Sequence, residues 1–491
     1  MISSTLDTVD GLRAYLETHP SLVRGALPPG DLVGMDMAVS RVSGGRANHT
    51  YRVTIRGKDD SSGDPKRTTA SSTLVIKYSP PNVAANPGVP LPTNRGFFEY
   101  TALAMLPPLT SGSTTSAFRS LVVTVRTAKA VGYDASAGLL AITDLGKSAR
   151  TLKEYLLAIG GLRDEENAGG VSMLEATCEL GDADLPAIGS ALGSWLASLH
   201  EWGTSAAAQA LRDVLKENTT MATIALDYTF GSLTGVYGGG ATSVGHDDDK
   251  LWRDVQAHVR ALMDADNNTS AYVIHGDFWT GNVLVISASP ESDDTAISSP
   301  PSTSAAALER DPSDPPIAIT LTVLDWEASN CRNFAWTDVG QMCAEMYQPV
   351  FFSWFAARNL TTSSSDKLDS EPPQSPILTS FLNTYLADRK RSGRPVSLDE
   401  RRMAIIRFGA HVAVWPAMTG WGEMEFHRGA ASRGDVLRPD SEGYSCAGDR
   451  GVEAVKRLGR EYVRRAWEWD WAWLAREGSV LRELALGVEA T

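Results

Sequence analysis

The chain has 491 residues, 43% apolar and 21% charged, with 13 Trp, 12 Phe and 13 Tyr, which excludes global disorder and supplies a full core. Lys and Arg number 45 against 59 Asp and Glu; the net charge of −14 argues against a nucleic-acid partner, whose binding needs clustered cations. No run reaches about 18 apolar residues, since the best, Ala404 to Gly420, is broken by Arg407 and His411, so no membrane span is expected. The N-terminus lacks a basic start followed by an apolar core, so no signal peptide is expected either. Cys178, Cys331, Cys343 and Cys446 are too widely and irregularly spaced for a disulfide framework or a zinc site, and a cytoplasmic location is the expectation.

Residues 1–35 read as an N-terminal helical extension. From 36 to 143, short runs rich in Val, Ile, Thr and Tyr predict strands at Met37–Val42, Tyr51–Ile55, Leu74–Tyr78, Leu121–Arg126 and Leu139–Thr143. One helix interrupts them, Arg95–Leu106, ahead of Pro107-Pro108. This block reads as a small β-rich lobe. From 144 to 491 the pattern is mostly helical, at Leu152–Leu157, Leu185–Trp202, Leu251–Met263, Phe334–Tyr347, Ile377–Lys390, Leu398–Thr419 and Gly451–Leu486. Within it, strands are predicted at Ala271–His275, Val283–Ile286 and Ile317–Asp325. Ser-, Pro- and Asp-rich stretches near 57–72, 287–316 and 361–376 cannot bury enough apolar surface to order themselves and read as disordered insertions.

The sharpest chemistry lies in Tyr272-Val-Ile-His-Gly-Asp-Phe-Trp-Thr-Gly-Asn-Val-Leu-Val285. Asp277 and Asn282 share a loop between two apolar runs, five residues apart. Phosphoryl-transfer enzymes place a base and a metal ligand at this spacing: the Asp accepts the proton of the attacking hydroxyl, and the Asn gives Mg²⁺ a neutral oxygen. A polar hairpin turn is the alternative. In Leu321-Thr-Val-Leu-Asp-Trp-Glu327, a strand ends in Asp325 with Glu327 two residues on, two hard oxygen ligands suited to Mg²⁺, or else a helix cap and a solvated charge. Lys77 sits inside the apolar run Leu74–Tyr78 and needs a partner there; Glu99 on the next helix is the natural one. Ser43-Gly44-Gly45-Arg-Ala-Asn48 lies between two strands, where turn amides can cradle phosphates or simply close a hairpin.

These four segments, in this order, resemble the aminoglycoside phosphotransferase family, which includes choline kinases and methylthioribose kinases. The resemblance spans roughly Asp36 to Trp421. It implies a protein-kinase-like bilobal α+β fold, ATP and Mg²⁺ as cofactors, and a small-molecule hydroxyl as acceptor. His275-Gly-Asp277 and Asn282 match the family's catalytic loop, and Asp325 its metal-binding Asp. Ser43 to Val53, with Gly44, Gly45 and Asn48, looks like its nucleotide-loop strand pair. Ala141-Ile-Thr-Asp-Leu-Gly146 looks like its hinge, where backbone groups of Thr143 and Asp144 would meet adenine. Asp338-Val-Gly-Gln341 resembles the Asp that buttresses the catalytic loop, and His200 reads as a packing or capping residue. Asp325-Trp-Glu327 resembles the Asp-x-Glu of methylthioribose kinases, with Glu327 assisting the metal, while Phe278-Trp-Thr280 departs from their loop. The acceptor is therefore left between thioribose-like and choline-like alcohols and other hydroxylated metabolites. A catalytically inactive kinase fold serving as a scaffold is the competing reading. A protein kinase fits less well, because no Gly-x-Gly-x-x-Gly loop or Ala-Pro-Glu segment is present.

Two aromatic stretches remain. His411 to Glu425 mixes Trp415 and Trp421 with carboxylates, and is either a cation-binding wall or a helix with two core Trp. Trp467, Trp469, Trp471 and Trp473 alternate with polar residues near the C-terminus, and packing onto the body is expected for such a cluster.

Overall fold

The computed structural model describes residues 6–25, 36–42, 47–56, 71–109, 114–115, 121–159, 181–233, 246–264, 272–287, 317–332, 334–359, 374–416 and 445–486. The three expected insertions lie almost wholly outside these residues, as do Gly44, Gly45 and the Trp421–Glu425 stretch.

The chain opens with helices α1 (Val9–Thr18) and α2 (Ser21–Arg24), the first capped by Thr8, whose hydroxyl accepts from the Gly11 amide at 3.1 Å. The first sheet is antiparallel and contains β1 (Asp36–Arg41), β2 (His49–Arg56), β3 (Ser71–Tyr78), β8 (Ala130–Asp134) and β9 (Leu139–Thr143), in the order β1-β2-β3-β9-β8. The period-2 alternation of its strands sends Tyr51, Val53, Ile55, Leu74, Ile76 and Tyr78 to one face. There they meet Leu12, Leu16, Leu22 and Val23 of the N-terminal helices in a core of their own. The opposite face, with Val75 and Lys77, turns toward helix α3 (Arg95–Met105), which comes after the small hairpin β4 (Asn82–Val83) and β5 (Asn86–Pro90).

A second sheet runs β10-β11-β12-β7-β6, from β6 (Thr114–Thr115), β7 (Leu121–Thr127), β10 (Arg150–Thr151), β11 (Val283–Ser287) and β12 (Ile317–Val323). Around it pack α4 (Leu152–Ile159), α5 (Leu185–Gly203), α6 (Gln209–Leu215), α7 (Thr219–Leu226), α8 (His246–Asp264), α9 (Ala335–Asn359), α10 (Pro376–Arg391), α11 (Leu398–Val414) and α12 (Ser445–Trp467), with two short turns, α13 (Trp471–Leu474) and α14 (Arg482–Ala485). The result is a bilobal α+β fold: a β-rich N-terminal part and a mostly helical C-terminal part. Among the described residues no helix is long and apolar enough to cross a membrane.

The structure corrects several expectations. Leu121–Arg126 does form a strand, but outside the first sheet: β7 pairs in parallel with β12, from Ile317↔Leu121 to Val323↔Thr127. Leu121, Val123 and Val125 of β7 and Ile319, Leu321 and Val323 of β12 are all buried in the large core, so two apolar runs cover each other there. Ala130–Asp134, which is not among the expected strands, fills the edge of the first sheet instead. Only two residues, Ala128 and Lys129, link the two sheets at this point. Thr143, at the other crossing, donates its amide to the Lys129 carbonyl at 3.0 Å and accepts the Lys129 amide on its hydroxyl at 3.3 Å.

Ala271–His275 is not a ladder strand. Among the described residues it makes a single bridge, Ile274↔Asn330, because the His275 and Gly276 amides are drawn to the Asp338 side chain. The helix predicted over Phe334–Tyr347 continues through Pro349 to Asn359. Gly451–Leu486 is not one helix. It breaks at Trp469, which has φ 57°, and Asp470 then caps α13 by accepting the Trp473 amide at 3.0 Å. The Trp cluster packs on guanidinium groups: Arg402 lies 4.7 Å from the Trp467 ring centre and 4.4 Å from that of Trp469, and Arg476 lies 3.3 Å from that of Trp473.

Helices α5 and α10 approach backbone to backbone. At Gly193 an added Cβ would overlap the Phe381 carbonyl oxygen, and at Gly189 the Ile377 carbonyl, neither of which a side-chain rotation relieves. Gly193→Ala should therefore cost about 1–3 kcal/mol by overpacking. A urea midpoint equal to that of the unsubstituted chain would show that the helices part without penalty.

Candidate functional site

The site is assembled where β3, α3 and the segment after β12 meet. Lys77 Nζ donates to both Glu99 carboxylate oxygens at 2.8 Å and also pairs with Asp325 Oδ1. Lys77 and Glu99 are both buried. Burial works against the Lys77 charge, but Asp325, Glu99 and Glu327 outweigh it and raise its pKa. Burial pushes the Glu99 carboxyl up, to about 7, with Asp325 and Glu327 adding to the push and Lys77 opposing it. The Asp325 carboxyl is raised by burial, but more strongly lowered by the Lys77 ammonium, and ends below the usual range.

Asp325 itself adopts the left-handed region, φ 58° and ψ 59°, uncommon for a residue with a side chain. The neighbours hold it there. Trp326 is fully buried against His275, ring centres 4.7 Å apart, and against Trp195 at 6.0 Å. Such local strain, fixed by surrounding packing, is characteristic of functional segments.

Glu327 lies on the same segment. Its Oε2 accepts from Asn48 Nδ2 at 2.8 Å and pairs with Arg95 Nε at 3.3 Å. Arg95 is fully buried. It also donates to Asn48 Oδ1 at 2.9 Å and to the carbonyls of Ala47, Pro80 and Pro92 at 2.7–3.0 Å. The expected metal role of Glu327 thus meets an oxygen already committed to Asn48 and Arg95. Arg95 was invisible in the pattern, because its role needs β2, α3 and the Asp325 segment brought together. Lys77 and Arg95 face Glu99, Asp325 and Glu327, so with Glu99 ionised this cluster carries a formal excess of one negative charge.

The loop with Asp277 is held from below. Asp338, buried on α9, accepts the His275 amide on Oδ2 at 2.8 Å and the Gly276 amide on Oδ1 at 2.9 Å. Gly276 has φ 83°, and a Cβ there would overlap the Ala328 carbonyl, so glycine is required. His275 Nε2 donates to the Leu324 carbonyl at 2.7 Å, and Nδ1 accepts the Asp277 amide at 3.3 Å; those two partners fix its tautomer. His200 is neither a cap nor simple packing. It lies between Asp338 Oδ2, 3.3 Å from Nε2, and the Tyr385 hydroxyl, 2.9 Å from Nδ1. Burial lowers its pKa despite Asp338, so it stays a neutral link.

Asp277 is gripped on both oxygens. Asn282 Nδ2 donates to Oδ2 at 3.1 Å and to the Asp277 carbonyl at 2.9 Å, which leaves the Asn282 side-chain oxygen for a cation. Gln341 Nε2 donates to Oδ1 at 2.7 Å. The Leu324 amide donates to the Asn282 carbonyl at 2.9 Å, tying this loop to the residue before Asp325. Among the described residues no three His, Cys, Asp or Glu converge as a self-sufficient metal site. Asn282 and Asp325 instead offer one neutral and one charged oxygen beside that excess negative charge, a donor set that suits a hard cation completed by phosphate and water oxygens.

At the crossing after β9, the Asp144 side chain is occupied by Arg52: Nε to Oδ2 at 2.7 Å and Nη2 to Oδ1 at 3.0 Å, with the Gly146 amide also on Oδ1 at 3.0 Å. The Thr143 amide is likewise taken, by Lys129. Burial raises the Asp144 carboxyl, but Arg52 and the Gly146 amide more than offset it and hold it below its ordinary 3.8. A depressed folded pKa stabilises the protein above pH 3.8, and that contribution is lost as pH falls through the lowered value. Asp144→Asn should then cost about 1–2 kcal/mol at pH 7. The gap to the unsubstituted chain should close as pH falls from 7 through that lowered value. Urea titrations at both pH values check this, and a gap constant with pH refutes it.

No protein-family model and no curated protein matches the chain. Among solved structures, choline kinase LicA from Streptococcus pneumoniae aligns with 90% of this chain and 99% of its own, at 12% identity and a TM-score of 0.35.

Proposed function

We propose that this chain transfers the γ-phosphate of ATP to a hydroxyl of a small molecule. One observation carries the reading: Lys77 pairs at once with Glu99 on α3 and with Asp325 beyond β12, while the residue before Asp325 is hydrogen-bonded to the loop that holds Asp277 and Asn282. A cation on the nucleotide sheet, a carboxylate beyond the second sheet and a loop with a base and an amide oxygen are the parts phosphoryl transfer needs.

In this reading Lys77, oriented by Glu99, holds the nucleotide phosphates, and Asn282 and Asp325 hold Mg²⁺. The metal ion, when bound, neutralises charge on the transferring phosphoryl group. Asp277 accepts the proton of the acceptor hydroxyl. Its carboxylate is kept in one plane by Asn282 on one oxygen and Gln341 on the other, with lone pairs still open to a hydroxyl. Positioning and charge stabilisation supply most of the rate. The acceptor class is left among hydroxylated metabolites, with thioribose-like and choline-like alcohols the first to try.

ADP release at fixed Mg-ATP, across amino alcohols, aminoglycosides, pentoses and thiosugars, is the direct test. An acceptor should raise release with the unsubstituted chain, and Asp277→Asn should lose about 100-fold or more while still binding ATP. Full turnover in that variant removes Asp277 from the base role. Asp325→Asn should weaken Mg-ATP binding about tenfold or more, read by titration calorimetry. Unchanged Mg-ATP affinity would show that Asp325 is not a ligand.

A further inference from the structure

We infer that Arg407, acting through Gln341, orients the Asp277 carboxylate, so that α11 and α9 contribute one residue each to a positioning pair for a loop neither helix carries; the catalytic side of this claim rests on the phosphotransferase reading. Gln341 Nε2 donates to Asp277 Oδ1 at 2.7 Å, and Arg407 Nη2 donates to Gln341 Oε1 at 2.9 Å. Gln341 is 4% exposed and Arg407 2%.

The direction of the relay is set by hydrogen-bond chemistry. A primary amide turned through a half-circle exchanges its donor for its acceptor. Facing a carboxylate, Gln341 is useful in only one of the two orientations, because the other sets oxygen against oxygen. A guanidinium has donors and no acceptor, so Arg407 selects the orientation in which Oε1 faces it and Nε2 faces Asp277. Arg407 thus decides what Asp277 meets without touching it.

The cost of the arrangement marks Arg407 as more than packing. The Gln341 contact is its one hydrogen bond among the described residues, and its Nε and Nη1 have no partner there. Its ring neighbour is Phe230, 5.7 Å away. Burial draws its pKa down to about 10, with Asp277 and Asp338 opposing that fall. Nearby His411 is paired with Glu345 at 2.8 Å and gives it no counter-charge. The stem is fixed where α9 meets α11: a Cβ on Gly340 would overlap Arg407 Cβ and the Ala404 carbonyl. A buried cation this poorly compensated is kept at a price in stability, and its field falls on Asp277 and Asp338.

Two measurements test the pair. The first needs no acceptor: melting temperatures of the full chain with Asp277→Asn, Arg407→Met and both. Coupled groups give a non-additive cycle, and Asp277→Asn should lower the midpoint in the Arg407 background by about 2 °C more than in the Arg407→Met background. An additive cycle overturns the pairing. Gln341→Leu combined with Asp277→Asn repeats the cycle if Arg407→Met does not fold. The second uses the acceptor found by ADP release. Gln341→Leu should lower kcat about tenfold with KM for ATP within twofold, and Arg407→Lys should retain more of kcat than Arg407→Met. Unchanged kcat in Gln341→Leu, or no difference between the Lys and Met variants, overturns the positioning role. Silence of the unsubstituted chain with every acceptor overturns the phosphotransferase reading, and the catalytic role of the pair with it, while the thermal cycle still stands or falls alone.

Discussion

Lys77 cannot lie in the core without anions around it, and the arrangement of the site stems from that need. An ammonium taken out of water loses several kcal/mol of solvation. Glu99 alone would answer one charge with one charge. The structure supplies Asp325 as well, and places Glu327 close enough to add to the field. These carboxylates are themselves wholly or partly withdrawn from water, so Arg95 is drawn in against Glu327 and brings Asn48 and the carbonyls of Ala47, Pro80 and Pro92 with it. Three separate stretches of chain are thereby fixed in one electrostatic cluster. The left-handed backbone of Asp325 is tolerated because Lys77 holds its side chain and the buried Trp326 anchors the next position in the chain.

A second layer is built of neutral links. Asp338 collects two successive amides of the Asp277 loop, and His200 and Tyr385 extend that contact to α5 and α10. The close helix approach at Gly189 and Gly193 sets the distance over which this chain of bonds operates. Core packing of helices far from β3 therefore fixes the geometry of the loop.

Some of this was legible in the sequence, for a physical reason. Lys77 inside an apolar run, Asp325 at a strand end, and Asp277 with Asn282 on one loop are local conflicts between residue type and surroundings, and short windows display them. Glu99 was legible from its place on the next helix. The rest depends on contacts between residues distant in the chain. Arg95, Gln341 and Arg407 carry ordinary side chains in ordinary helical patterns, and only the folded arrangement brings Arg95 to Asn48 and Glu327, Gln341 to Asp277 and Arg407 to Gln341. Glu327 carries no sequence sign of its arginine partner, because a strand-end carboxylate reads the same whether it meets a metal or an arginine. The sheet membership of β7 was equally hidden: Leu121–Thr127 reads as a strand, but its alternation does not name its neighbour, and β12 lies nearly 200 residues on.

That neighbour has a mechanical consequence. The chain passes between the sheets at Ala128-Lys129 and again after Thr143, and the two passages are bonded to each other through Lys129 and Thr143. Arg52 of β2 braces the second through Asp144 and the Gly146 carbonyl. A single-stranded connection would act as a free pivot. Here two of the three passages between the sheets run as bonded plies, each anchored in β-ladders at either end, while the third goes by way of α3. Bending one ply therefore loads the other.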